Sequence, residues 1–302
     1  MLDVDDLLQK TSRTFALAIP LLPEPVRAEV GLAYLLFRAA DTFEDANLWP
    51  RAARVAALGE LADLVLRRER GLAQLLRDRW LSEPPVQHAG YLELIERTPE
   101  LLDATARLAP RSQEILVRQV ARTAEGMSVI LARSDERGGL RLQTLEELRD
   151  YCYVVAGIVG ELLTELFLRS APQVEREKAA LVQHTRAFAE GLQLVNVLKD
   201  EGADAADGRA FLPPGIDRAE VAALARADLD GAGRYVAALQ RGGAPAGYLA
   251  FTGLAVMLAR ASLDRLDAAG TGAKVSRDDV SKIFSRLEGA IARGDAVQAL
   301  LG

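Results

Sequence analysis

Apolar residues recur at helical spacing along almost the whole of this chain, and no alternating strand pattern persists. Such a chain buries its apolar stripes by packing helix on helix, so the fold class is all-α. With 302 residues, half of them hydrophobic, it can build a sizeable core. The pattern predicts helices over residues 3–22, 25–45, 51–70, 144–170 and 174–203, with Pro25 tolerated in a first turn. Thr98-Pro99-Glu100 and Pro110-Arg111-Ser112 read as helix starts. Thr144 with Glu147, Asp217 with Glu220 and Ser276 with Asp279 have capping spacing. Pro84-Pro85, Gly138-Gly139, residues 208–215, Gly242-Gly243 and residues 270–272 read as loops. No linker, low-complexity tract or fixed-period repeat interrupts the series, so residues 1–302 read as a single domain.

Several function classes lose support at once. A net charge of −6 without a Lys/Arg run argues against nucleic acid as a partner. The lone cysteine, Cys152, excludes an intrachain disulfide and suits a reducing cytoplasm. His88 and His184 stand in unrelated contexts, which leaves little for a zinc site or a Ser-His-Asp triad. Neither G-x-x-x-x-G-K-[ST] nor a strand-linked G-x-G-x-x-G is present. The first residues lack the basic and apolar regions of a signal peptide. The longest strongly apolar run, residues 248–258, is too short to span a bilayer. A cytoplasmic protein without a transmembrane segment is expected, with peripheral membrane contact left open and oligomeric state unassigned.

Two acidic stretches carry the chemistry. Residues 34–45 begin as an apolar helix and end in Asp41, Glu44 and Asp45, which share one helix face. Asn196, Asp200 and Asp204 recur every fourth residue, each step drifting about 40° around a helix, and the run before them is apolar. Their stripe is therefore expected to begin in a partly buried region. Either stretch alone is compatible with a solvated acidic face. Two of them on apolar helices suggest a bound divalent cation, since Mg²⁺ takes carboxylate oxygens together with substrate phosphates and water. Arg13, Arg38, Lys199, Arg209, Lys274 and Arg277 are candidate partners for a diphosphate, or else ordinary surface cations.

These residues resemble the motifs of the squalene/phytoene synthase family, the head-to-head prenyl diphosphate synthases. Ser12, Arg13, Thr14 and Phe15 resemble its S-R-[ST]-F substrate motif, and residues 34–45 its Y-L-x-x-R-x-x-D-T-x-E-D motif. Residues 151–160 resemble the Y-C-x-x-V-A-G-x-V-G helix. Gln193, Asn196, Asp200 and Asp204, followed by Gly208-Arg209-Ala-Phe-Leu-Pro213, resemble the second acidic motif and its tail. Lys274-Val-Ser-Arg277 is a shorter match to a basic C-terminal motif.

The resemblance implies an isoprenoid synthase fold, one helical domain around a central apolar cavity. It implies Mg²⁺ held by Asp41, Glu44, Asp45, Asn196, Asp200 and Asp204. Farnesyl diphosphate would be held by Ser12, Arg13, Thr14, Phe15, Gln193, Lys199 and Arg209, and NADPH by Lys274 and Arg277. Tyr34, Arg38, Tyr151 and Tyr153 are the implied catalytic residues. The implied reaction joins two farnesyl diphosphates through presqualene diphosphate and reduces the product to squalene. Ala156, Gly157 and Gly160 suit either room for prenyl chains or close helix packing. One departure stands out: Val154 occupies the position where animal and fungal squalene synthases have a tyrosine before Val-Ala-Gly. That feature leans towards the phytoene and dehydrosqualene branch, whereas Asp-Thr-Phe-Glu-Asp leans towards squalene. The animal and fungal enzymes' C-terminal membrane anchor has no counterpart in this sequence. Phytoene, dehydrosqualene or presqualene diphosphate are alternative products, and a non-catalytic interaction factor is the alternative class.

Overall fold

The structure is a computed structural model, and it describes residues 2–12, 14–136, 139–270, 272 and 275–295. Its contacts gather into two compact units, Met1–Ile19 with Pro25–Leu140, and Pro20–Glu24 with Arg141–Gly302. Among the described residues all regular structure is helical, apart from an isolated bridge between Arg141 and Ala210.

The first unit holds α1 (Val4–Thr11), α2 (Phe15–Ala18), α3 (Val26–Glu44), α4 (Arg51–Arg67), α5 (Arg70–Ser82), α6 (Ala89–Glu96), α7 (Thr98–Thr105) and α8 (Pro110–Leu131). The helix expected over residues 3–22 is broken. Ser12 leaves α1 in an extended conformation, and its hydroxyl accepts a hydrogen bond from the Phe15 amide at 3.0 Å, so serine chemistry starts a new turn. The helix expected over residues 51–70 ends at Arg67, because Arg68 adopts the left-handed conformation (φ 56°) and α5 restarts at Arg70. Helix α3 packs on α4 and α8, burying Leu35, Leu36 and Phe43. Phe43 meets the rings of Trp49 and Trp80 at 5.9 and 4.7 Å. This packing sets the rotation of α3, and with it the direction of the acidic end.

The second unit holds α9 (Leu145–Cys152), α10 (Ile158–Ser170), α11 (Lys178–Ala206), α12 (Arg218–Gly242), α13 (Ala246–Ala269) and α14 (Arg277–Arg293). The continuous helix expected over residues 144–170 is interrupted by a π-turn at Tyr153–Gly157. The helix expected from residue 174 starts at Lys178, after a 3₁₀ segment, Pro172–Glu177. The caps follow side-chain chemistry. The Thr144 hydroxyl accepts from the Glu147 amide at 3.1 Å, Asp217 accepts from the Ala219 amide at 3.1 Å, and Ser276 and Asp279 form a reciprocal capping box. Glu147 itself accepts from the Gln143 amide rather than that of Thr144.

Helices α11 and α12 form the most extensive contact of the unit. A Cβ on Gly231 would lie 2.6 Å from the Ala187 Cβ, and one on Gly191 would lie 2.9 Å from the Asp228 Cβ. Glycine here permits the close approach of two helix backbones. Beside it, the Thr164 hydroxyl lies 2.8 Å from that of Thr185 and 2.9 Å from that of Tyr235, three buried polar groups that satisfy one another. Leu145–Ser170 and Ala246–Ala268 are long and apolar enough to cross a membrane by length and composition, although no such span is expected from uninterrupted apolar runs. Their most apolar windows are 56% and 61% buried inside the protein, the pattern of core helices.

The glycines make opposite predictions. Gly231→Ala should lower stability by about 1–3 kcal/mol through overpacking. Gly59→Ala, in α4 with nothing within 4 Å of its Cβ, should raise it by roughly 0.5–1 kcal/mol. Urea unfolding of both variants checks the pair.

Candidate functional site

The first acidic face occupies the last turns of α3. Arg38 Nη1 lies 3.2 Å from Asp41 Oδ2, and Arg38 also donates to the Tyr34 hydroxyl at 3.1 Å through Nη2. The guanidinium sits 5.6 Å from the Tyr34 ring centroid and 5.9 Å from that of Tyr91. Tyr34 in turn meets Phe15 at 5.2 Å and approaches the Thr11 carbonyl at 3.5 Å. Burial alone would lower the pKa of Arg38, but the neighbouring Asp41 charge raises it overall, so the cation is secure. Burial raises the pKa of Asp41 to about 6; Arg38 opposes that shift and Asp45 reinforces it. Glu44 is buried, its backbone carbonyl accepts from Arg54 Nη2, and Asp45 is exposed at the helix end.

The second face lies on α11. Val195, Val197 and Leu198 are buried, and Asn196 and Asp200 between and beyond them are exposed. The stripe therefore begins at the surface rather than in the partly buried region expected from its apolar surroundings. Packing against α12 uses the opposite faces of this helix. Asn196 donates to Gln193 Oε1 at 3.4 Å and accepts from Lys199 Nζ at 2.9 Å, and Lys199 lies 3.3 Å from Asp200 Oδ2. Arg209 Nη2 reaches Asp204 Oδ1 at 3.1 Å and Asp207 Oδ2 at 3.4 Å. The Arg209 guanidinium also lies 5.8 Å from the centroid of Phe211, which stacks on the buried Tyr151 at 4.5 Å.

Tyr153 lies in the π-turn, where its hydroxyl donates to Glu161 Oε1 at 2.8 Å. Of the two roles considered for Gly157 and Gly160, close packing has the structural support. A Cβ on Gly157 would come within 2.5 Å of Tyr153 Cδ2, and one on Gly160 within 2.8 Å of the Ala189 Cβ. Ala156 is half-buried. Thr14 is exposed, and Arg277 is exposed in the first turn of α14. Arg13 and Lys274 lie outside the described residues.

The first face sits at a helix C-terminus and the second runs into one. Asp41, Glu44 and Asp45 close α3, and Asp204 lies in the last turn of α11. The negative end of a helix dipole disfavours carboxylates there. Arg38, Lys199 and Arg209 offset part of that charge within the chain. No group of three or more His, Cys, Asp or Glu side chains that could hold a metal is already gathered among the described residues. The donor set nonetheless fits Mg²⁺, whose sites commonly use one or two carboxylates and take their remaining oxygens from substrate and water. Residues missed by sequence reasoning are Tyr91 and Arg54 beside the first face, and Asp207 beside the second. A lone Glu190 within the apolar run before Gln193 was the one available signal for a further cluster.

The family model described as squalene/phytoene synthase matches residues 8–216. The squalene synthase of Eremothecium gossypii is 30% identical over 214 residues, 70% of this chain and 45% of that protein. The Botryococcus squalene synthase of Botryococcus braunii is 28% identical over 196 residues, 64% of this chain and 38% of that protein. The match thus spans less than half the length of these curated relatives. A solved structure of TcSQS in complex with a ligand superposes with a TM-score of 0.75, at 23% identity, covering 98% of this chain and 97% of that one. At that identity the likeness shows a shared all-α fold.

The raised pKa of Asp41 sets a sign for stability. An acid whose folded pKa lies above its ordinary value stabilises the protein at low pH, and that contribution is lost as pH rises through the folded pKa. In metal-free protein, Asp41→Asn should therefore be more stable relative to wild type above about pH 6 than below about pH 4. Thermal unfolding across that range tests the sign, and the reverse trend would refute it.

Proposed function

Since the chain belongs to the squalene/phytoene synthase family, we propose that it is a prenyltransferase that condenses two farnesyl diphosphates head to head. The observation that carries this reading is the placement of oxygen-rich acidic faces at the negative ends of α3 and α11, each with an adjacent fixed cation.

In the first step one farnesyl diphosphate loses diphosphate, and the second attacks the resulting allylic cation. Loss of a proton then gives presqualene diphosphate. In the second step presqualene diphosphate loses its diphosphate and takes a hydride, giving squalene. Bound Mg²⁺ would supply charge neutralisation for the leaving diphosphates, and NADPH would supply the hydride. Asp41, Glu44 and Asp45 offer the metal donors on α3, and Asn196, Asp200 and Asp204 those on α11. Arg38 holds Asp41 in place and brings a permanent positive charge to the face, while Lys199 and Arg209 do the same for Asp200 and Asp204. Ser12, Arg13, Thr14, Phe15 and Gln193 are proposed to contact the prenyl diphosphate, and Lys274 and Arg277 the nicotinamide cofactor. Tyr34, the tyrosine of α3, is proposed to direct a proton, because Arg38 fixes its hydroxyl. Tyr151 and Tyr153 are proposed catalytic groups of the second unit.

Purified protein incubated with farnesyl diphosphate and Mg²⁺ should release diphosphate and accumulate presqualene diphosphate, with squalene appearing when NADPH is added. Dehydrosqualene formed regardless of NADPH, or turnover of geranylgeranyl diphosphate alone, would replace squalene as the product. Asp41→Asn and Asp200→Asn should each slow diphosphate release by about 10²-fold or more. Normal rates in both variants would remove the metal role. Absence of any product would favour an interaction factor.

A further inference from the structure

A cluster of charged side chains in the second unit lies apart from the acidic face of α11. Glu190 is buried in the middle of α11, with only 3% of its surface exposed. Its Oε1 accepts from Arg186 Nε at 2.6 Å, and its Oε2 lies 3.4 Å from Arg149 Nη1. Arg149, on α9, also forms a two-pronged pair with Asp228 of α12. Burial raises the pKa of Glu190, while Arg186 and Arg149 oppose that shift. Charged pairs with one partly exposed partner contribute little net stability; what this cluster can fix is the direction of its side chains.

What it orients is visible at the π-turn. The Arg186 guanidinium lies 4.5 Å from the centroid of the Tyr153 ring. The Tyr153 hydroxyl is held by Glu161. Its ring edge lies where a Cβ on Gly157 would come within 2.5 Å, and the same Cβ would lie 3.3 Å from Glu190 Oε1. Tyr153 is therefore held at its face, edge and tip. The face contact depends on a guanidinium whose own position is set by Glu190. Without that carboxylate, Arg186, whose side chain is more than half exposed, would be free to swing into solvent. π-Turns inserted in α-helices commonly mark functional positions because they re-aim side chains.

We propose that Glu190 is a positioning residue that, through Arg186, holds Tyr153 of the π-turn in one orientation for the head-to-head reaction. The proposal rests on the prenyltransferase reading for the reaction, but not for the positioning. Asp228 forms its two-pronged pair with Arg149, so it serves as the control for general loosening of the unit.

The test uses full-length protein with ring-¹³C-labelled tyrosine. Of its six tyrosines, the Tyr153 resonance is assigned by its loss in Tyr153→Phe. Glu190→Gln and Arg186→Gln should both shift that resonance and leave the Tyr235 resonance in place. Both should lower kcat for farnesyl diphosphate consumption by about 10- to 100-fold, with KM within about twofold, as expected when a group is misaligned and binding is kept. Glu190→Asp should restore part of kcat. Asp228→Asn should lower the unfolding midpoint without moving the Tyr153 resonance or kcat. Arg186→Gln alters a partly exposed side chain and keeps the test open if Glu190→Gln folds poorly. An unmoved Tyr153 resonance in Arg186→Gln and in folded Glu190→Gln overturns the proposal, as does a kcat loss of equal size in Asp228→Asn. A wild-type protein without prenyl diphosphate turnover removes the reaction reading, and the resonance shifts still decide the positioning.

Discussion

The close approach of α11 and α12 governs the second unit. Gly191 and Gly231 bring the two backbones so near that those two positions admit no larger side chain. With that face committed, Asn196 and Asp200 are left on the exposed face of α11. The same register buries Glu190 where Arg149 from α9 and Arg186 from its own helix can both reach it. One steric constraint thus turns a single helix into three working surfaces: a packing seam, an internal ion cluster and an outward acidic stripe.

Charge balance is the second organising constraint, and it recurs in both units. Carboxylates crowd the negative ends of α3 and α11, where the helix dipole adds to their mutual repulsion. In each case an arginine stands within salt-bridge distance: Arg38 beside Asp41, and Arg209 beside Asp204. On the α3 face the carboxylates still outnumber the cations, and on the α11 face Lys199 and Arg209 match Asp200 and Asp204 while Asn196 adds a neutral oxygen donor, a set that suits a cation arriving with a polyanionic substrate. Burial raises the pKa of Asp41, and with the added effect of Asp45 it outweighs the help from Arg38.

Much of the candidate site's local arrangement was legible in the sequence because it is written in helical arithmetic. Asp41, Glu44 and Asp45, like Asn196, Asp200 and Asp204, share a face by spacing alone, and Arg38 lies one turn from Asp41. The caps at Thr144, Asp217 and Ser276 are equally local. The break at Ser12, the left-handed Arg68 and the π-turn at Tyr153–Gly157 were not legible, because periodicity averages over several turns and passes across a one-residue irregularity. Gly157 and Gly160 were ambiguous in the sequence, since glycine suits both open space and tight contact. Their neighbours at 2.5 and 2.8 Å favour tight contact.

The sequence by itself therefore determined the all-α class, the family, the two acidic faces and the cations that accompany them. Those properties depend on residues within one or two helical turns of each other. The tertiary structure alone decided that Arg149 would meet residues 41 and 79 positions away, that Asn196 would be exposed beside buried valines, and that Tyr153 would be held between Arg186 and Glu161. Contacts of that range depend on how helices rotate and approach when they pack. That rotation is set by side-chain volume at the seams, a property of pairs of helices rather than of either one.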